Sequence, residues 1–408
     1  MEQNRRQAFL TQDFFSFTRT ELLVKLILLF PITTLFQNHI GVLNKLLFFL
    51  VLAVLFCANA VRRGPFMYMA VISGLWLVSM AVTPLEALKL NLNMAFYYIF
   101  LVFYMIFVLT DQKKIWDILV KNRGYILAIV LFYTLVVAVS IFMPSAYQQS
   151  DAGGWGDEKY FVSISDSPNR VGPASVFVVV LITFLIKTGT HWSAAALSFP
   201  HLYVFLMGGS RTYFVVGACA MVVLFYVMLP QKRWFFLSLI PLGVVGMFLV
   251  LNSNMMAKFA ATFQADQGLS QEEFWRRLTN TRSVFWVEQL KLFFATPWYK
   301  QLLGNGINFT THQYGLWAHS DFIEILCSYG YIGLANYLGI MFYTMNNLLK
   351  SKRRHFFIKC VCIFIWFFNA FINFFYCYFC AMLCYPILLL IIKHMDEPKT
   401  PVSIAKQV

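Results

Sequence analysis

Runs of about twenty apolar residues recur along the whole chain, and a run of that length crosses a bilayer as a helix. They fall near 21–37, 41–61, 66–83, 91–110, 124–143, 171–187, 193–209, 212–229, 234–251, 321–345, 356–374 and 376–393. Backbone groups in lipid must be satisfied within their own segment, so the spans are helices. The alternating pattern of a barrel strand is absent. The expectation is an all-α polytopic membrane protein with about 12 transmembrane helices. A chain that is 60% hydrophobic and only 12% charged excludes an ordinary soluble domain.

Charge sets the orientation. A net charge of +14 would suit nucleic acid in a soluble protein, but here Lys and Arg sit in short turns between spans. Arg62-Arg63, Lys113-Lys114 with Lys121 and Arg123, Lys187, Lys232-Arg233, Lys350 through Arg354, and Lys393 fall at every second turn. The alternate turns are poor: 37–40 has no Lys or Arg, and 84–90 has Lys89 alone. By the positive-inside rule both termini are cytoplasmic, and no nucleic-acid partner is expected.

The chain then divides into three parts. Residues 1–251 are N-terminal transmembrane helices with an outer loop at 144–170. Residues 252–320 form a large extracytoplasmic loop, and 321–408 are C-terminal transmembrane helices and a cytoplasmic tail. The polar first twenty residues do not match a cleavable signal peptide. No internal repeat is evident, so an inverted-repeat transporter gains no support. Cys360-x-Cys362 and Cys377-x-x-Cys380 have metal-like spacing, but Phe, Ile and Leu surround them, so no metal is expected there.

Polar chemistry gathers on the outward side. Arg211 stands in Gly208-Gly209-Ser210-Arg211 between two spans, where the glycines and Ser210 offer backbone donors to an anion. Arg276 and Arg277 follow Glu272 and Glu273 by four residues, the spacing of ordinary helical ion pairs. Arg282 has no such partner, and Trp286 one turn on is placed to support it by stacking. Its fork is suited to phosphate. His319 stands where the polar loop enters a span, followed by Ser320 and Asp321. An imidazole there is suited to taking a proton from a hydroxyl. His312 is the weaker candidate. Asp321 is placed either to orient His319 or to cap the helix, and Glu324 lies just inside the span. In the first outer loop, Pro168 favours a turn and Asn169 can cap the following helix.

The segment Arg282 to Trp286, then Gly304-x-Gly306, then His319-Ser320-x-Phe322 with Gly330-x-x-Gly333-Leu334, resembles the shared signature of the O-antigen ligase and O-antigen polymerase (Wzy-type) family. Pro168-Asn169 and Gly209-Ser210-Arg211-Thr212 resemble two further family segments, so the likeness covers roughly 150–345. The family histidine is commonly followed by Asn, where this chain has Ser320.

The resemblance implies a GT-C-type membrane glycosyltransferase of the bacterial cytoplasmic membrane, independent of metal and cofactor. Its donor is a glycan on undecaprenyl pyrophosphate. Carried over, Arg211 and Arg282 bind the donor pyrophosphate and His319 is the catalytic base. Asn169, Ser210, Gly304, Gly306, Ser320 and Asp321 are supporting positions. Fixed guanidinium groups can stabilise a departing diphosphate without a metal.

The implied function is a polymerase of O-antigen, capsule or exopolysaccharide repeat units. Its partners are membrane lipids, the lipid-linked oligosaccharide, a chain-length regulator and a flippase. One alternative is a ligase of lipopolysaccharide biosynthesis that passes the glycan to lipid A core or another acceptor. The other is a flippase or transporter of lipid-linked sugar. That reading calls for charges along a central path, whereas here only Lys25, Lys45 and Glu324 depart from the surface.

Overall fold

The computed structural model describes residues 19–60, 63–149, 159–165, 167–229, 232–253, 281–315, 317–350 and 355–397. The pairs expected of Glu272, Glu273, Arg276 and Arg277 lie outside the described residues.

The architecture is helical and membrane-type. In chain order the helices are α1 (19–28), α2 (Phe30–Leu35), α3 (Gln37–Ala60), α4 (Arg63–Val82), α5 (Leu85–Leu90), α6 (Met94–Lys121) and α7 (Arg123–Ser140). Then follow α8 (Pro168–Lys187), α9 (Phe199–Met207), α10 (Arg211–Met228) and α11 (Lys232–Leu251). Beyond them come α12 (Arg282–Ala295), α13 (Trp298–Leu303), α14 (Phe309–Tyr314), α15 (Asp321–Leu348), α16 (Phe356–Ile372) and α17 (Phe379–Lys393). Among the described residues, seven helices are long and apolar enough to cross a membrane: α3, α4, α6, α7, α8, α10 and α15. The segment Trp192–Met207, α16 and α17 are shorter apolar helices.

Two boundaries differ from the hydropathy reading for physical reasons. The run at 91–110 becomes α6, which continues through Asp111 and Lys113-Lys114 to Lys121, with a break at Asp111 (φ −118°, ψ 23°). Apolar content marks where lipid ends, whereas the helix ends where its neighbours stop. Beyond the break, Lys393 of α17 donates to Gln112. The loop at 144–170 carries a short hairpin the sequence did not suggest: β1 (Tyr147–Gln149) pairs antiparallel with β2 (Lys159–Phe161). Tyr147 and Phe161 face each other with rings 5.3 Å apart, a cross-strand aromatic pair.

The core forms around α8 and α6. Every residue of α8 from Val171 to Lys187 is buried, as an all-round apolar helix requires. Helices α3 and α4 instead expose Val42, Leu46, Phe56, Met67, Val71 and Leu77. A belt of that kind is what lipid covers.

A backbone crossing positions the site. Helix α15 is interrupted at Gly330 (φ 68°, ψ −168°), and the turn after α13 packs into the interruption. Asn305 N–H donates to Cys327 O at 3.0 Å and Gly306 N–H to Ser328 O at 3.3 Å. Ile307 N–H reaches Thr83 Oγ1 at 2.8 Å. A Cβ on Gly304 would lie 2.2 Å from Ser328 O, and one on Gly330 2.4 Å from Leu302 O. Both φ values are positive, 100° and 68°, so sterics and torsion exclude a side chain at both positions. Gly330→Ala is therefore expected to cost about 1–3 kcal/mol or more, read as a lower thermal midpoint in detergent. Gly339→Ala, with nothing within 4 Å of its Cβ position, is expected to hold or raise the midpoint. Equal midpoints for the two variants would show that the crossing carries no strain.

Candidate functional site

Three of the positions singled out in the sequence come together at one end of the bundle. Arg282 opens α12, and its Nη1 donates to the Ile372 carbonyl at the end of α16. Tyr213 and Tyr378 stand beside it, their rings 5.9 Å apart at 90°. Burial draws the Arg282 guanidinium below its ordinary value, while the two tyrosines act in the opposite direction. Arg211, the first residue of α10, lies within electrostatic reach of Arg282. Two half-buried guanidinium groups at close quarters repel each other, and an anion between them relieves that cost. Among the described residues, Arg282 has a carbonyl and two tyrosines around it rather than a carboxylate, and a guanidinium fork has the geometry to take a phosphate.

His319 completes the group. Its backbone is left-handed, φ 51°, and its ring stacks on Phe374 at 5.3 Å. Burial first, and then the charge on Arg282, lower its imidazole to about 4. The ring is therefore neutral at pH 7 and able to accept a proton. Its Nδ1 is buried without a hydrogen-bond partner. The loop that presents it is tied from both sides at Ala318. The Glu324 carboxylate accepts from Ala318 N–H at 3.4 Å and from Thr310 Oγ1 at 2.6 Å, and the Trp286 indole N–H donates to Ala318 O at 2.5 Å.

Several supporting roles differ from the sequence reading. Trp286 does not stack on Arg282: its ring packs on Phe371 at 5.3 Å, and its indole N–H donates to the carbonyl of Ala318, the residue before His319. Asp321 does not orient His319. Its Oδ2 accepts from Tyr337 O–H at 2.6 Å and Tyr376 N–H at 3.3 Å, which fastens α15 to the turn between α16 and α17. Asn169 does not cap α8. Pro168 takes the first helical position, so Ser167 falls at the cap and its hydroxyl accepts from Asn169 N–H at 3.3 Å. The Asn169 side chain instead accepts from Ser210 Oγ at 3.3 Å, joining two predicted positions next to Arg211. Ser320 is buried with its Oγ unpartnered. Gly304 and Gly306 serve the backbone crossing and do not line the arginine cluster. His312 is exposed, beside Gln313.

The sequence reading missed a cavity of about 370 Å³ that shares a wall with this cluster. Asn169, Phe374 and Tyr378 belong to both, and Lys45, Arg170 and Trp317 also line the cavity. Lys45 was the available signal, a cation within an apolar span. Among the described residues, no group of His, Cys, Asp and Glu is arranged to hold a metal ion. Neither a family model nor a curated protein matches the chain.

Proposed function

We propose that the chain is a membrane glycosyltransferase that polymerises repeat units carried on undecaprenyl pyrophosphate, at the extracytoplasmic face of a bacterial cytoplasmic membrane. The observation that carries this reading is the meeting of Arg211, Arg282 and His319, from three distant parts of the chain, at one end of the bundle. The resemblance of the surrounding segments to the O-antigen polymerase and ligase family supports it, and implies a GT-C-type fold.

The chemistry follows from the groups present. An acceptor sugar hydroxyl attacks the anomeric carbon of the donor. The new C–O bond forms as the bond to pyrophosphate breaks, and the hydroxyl proton passes to His319. Charge grows on the leaving diphosphate, where Arg211 and Arg282 stabilise it. The donor also tunes the base. Its negative charge offsets Arg282, so the field that holds the imidazole down is reduced when the diphosphate is bound.

The test is purified protein with lipid-linked repeat units in the presence of EDTA. A ladder of products supports a polymerase. Transfer of one finished glycan to lipid A core supports a ligase, and vesicle translocation without transfer rejects both.

Orientation has a separate test. A cysteine at Gln313, exposed on the site end, is expected to react with an impermeant maleimide from outside intact spheroplasts. One at Lys113, exposed at the opposite end near Lys393, is expected to react only after permeabilisation. The reverse pattern would turn the arginines to the cytoplasm and sink the proposal.

A further inference from the structure

Lys45 is an ionisable group that the cluster leaves unused. It stands in the 24-residue apolar helix α3. A break at Ile40 (φ −134°, ψ 44°) divides that helix, and Lys45 lies five residues beyond it, roughly 8 Å at 1.5 Å per residue. An ammonium at such a depth is costly unless it faces a partner or a wet cavity. Among the described residues Lys45 has no hydrogen bond or ion pair, and it lines the cavity beside the arginine cluster. Arg170 is the second cation of the lining, and its Nη1 donates to Asn38 Oδ1 at 2.7 Å. Among the described residues, no Asp or Glu belongs to the lining.

The remaining walls suit a sugar. Five side-chain amides face the space, each with donors and an acceptor for hydroxyl groups. Asn44, for example, accepts from Thr33 Oγ1 at 3.0 Å and keeps its NH2 for another acceptor. Trp317, Phe374 and Tyr378 supply aromatic surface for the apolar face of a ring. A volume of about 370 Å³ lies in the small-molecule range. The cavity also adjoins the chemistry. Phe374 carries the His319 ring, and Tyr378 lies within electrostatic reach of both Arg282 and Arg170.

We propose that this cavity is the acceptor subsite and that it selects a saccharide bearing a carboxylate, held by Lys45 and Arg170. The identification as an acceptor subsite rests on the glycosyl-transfer reading above. Amides and aromatic faces surrounding two cations favour a uronic-acid residue over a lipid headgroup, which needs no such polar lining.

The experiment measures binding to the purified full chain in detergent, by thermophoresis. The ligands are a glucuronate–N-acetylglucosamine tetrasaccharide, neutral chitotetraose, dodecyl phosphate and inorganic pyrophosphate. The acidic tetrasaccharide is expected to bind more tightly than the neutral one. Lys45→Met is expected to weaken it about tenfold, the loss of one hydrogen bond to a charged group. Pyrophosphate binding is expected to be unchanged in Lys45→Met and lost in Arg282→Ala. Arg170→Gln provides the second variant and is expected to act like Lys45→Met. Equal affinity for the two tetrasaccharides, or no change on Lys45→Met, overturns the proposal. So does Lys45-dependent binding of dodecyl phosphate alone, which would make the cavity a headgroup site. Acidic-tetrasaccharide binding that depends on Lys45, without Arg282-dependent pyrophosphate binding, supports a carboxylate-selective saccharide site while overturning the transfer reading and the acceptor role with it.

Discussion

Replacing His319 by asparagine or glutamine is expected to slow glycosyl transfer about 10²–10⁴-fold, the range for loss of a general base. The two variants separate chemistry from strain. His319 holds a left-handed backbone, which asparagine adopts readily and glutamine does not. If the loss reflects only a distorted loop, asparagine should restore activity. If the imidazole takes the proton, both variants fail and lipid-linked single units accumulate, while donor still binds to Arg211 and Arg282. The pH profile gives a second signature. With the free-enzyme imidazole lowered to about 4, kcat/KM is expected to stay flat on the acid side to well below 6.5. The acid limb of kcat is expected at higher pH, because bound pyrophosphate offsets Arg282. Polymer formed at the normal rate by either variant would make His319 a positioning residue.

Arg282→Lys is expected to cost about 10²–10³-fold in kcat, comparable with removal of one preorganised donor to a developing anion. Charge is retained, so a purely long-range role would leave activity near normal. The guanidinium already donates to the Ile372 carbonyl, and its planar fork has further N–H groups for an anion, a pair of tasks that an ammonium performs poorly together. The Ile372 contact joins α12 to α16, so each variant needs its thermal midpoint measured beside its activity. An unchanged midpoint with lost turnover places the effect at the anion. A fall in midpoint that accounts for the loss would make Arg282 a fastening between helices.

How much was legible in advance differs residue by residue. The apolar runs announced membrane helices because hydropathy is carried by each side chain wherever it sits, and lipid forces the backbone into helices. Arg211 and His319 were also visible, as polar groups at the ends of apolar runs, and Arg282 as a loop arginine with no acidic residue four positions before it. The hairpin at Tyr147–Phe161 was not, because two three-residue strands are too short to leave a period.

Partnership was beyond reach of the sequence. Asp321 stands two residues from His319 yet bonds to Tyr337 and Tyr376, and Trp286 stands one turn from Arg282 yet bonds to Ala318. Asn169 had the chemistry of a cap, but Ser167 took that place and left Asn169 to reach Ser210 across 41 residues. The sequence alone determined the solvent of each segment and which charged groups meet its edge. The packing of α8, α10, α12 and the turn between α16 and α17 decided which of those groups face one another and that Lys45 opens on a cavity. Burial preference is a property of one residue, whereas a hydrogen bond or a field depends on the distance between two, and only the assembled helices set that distance.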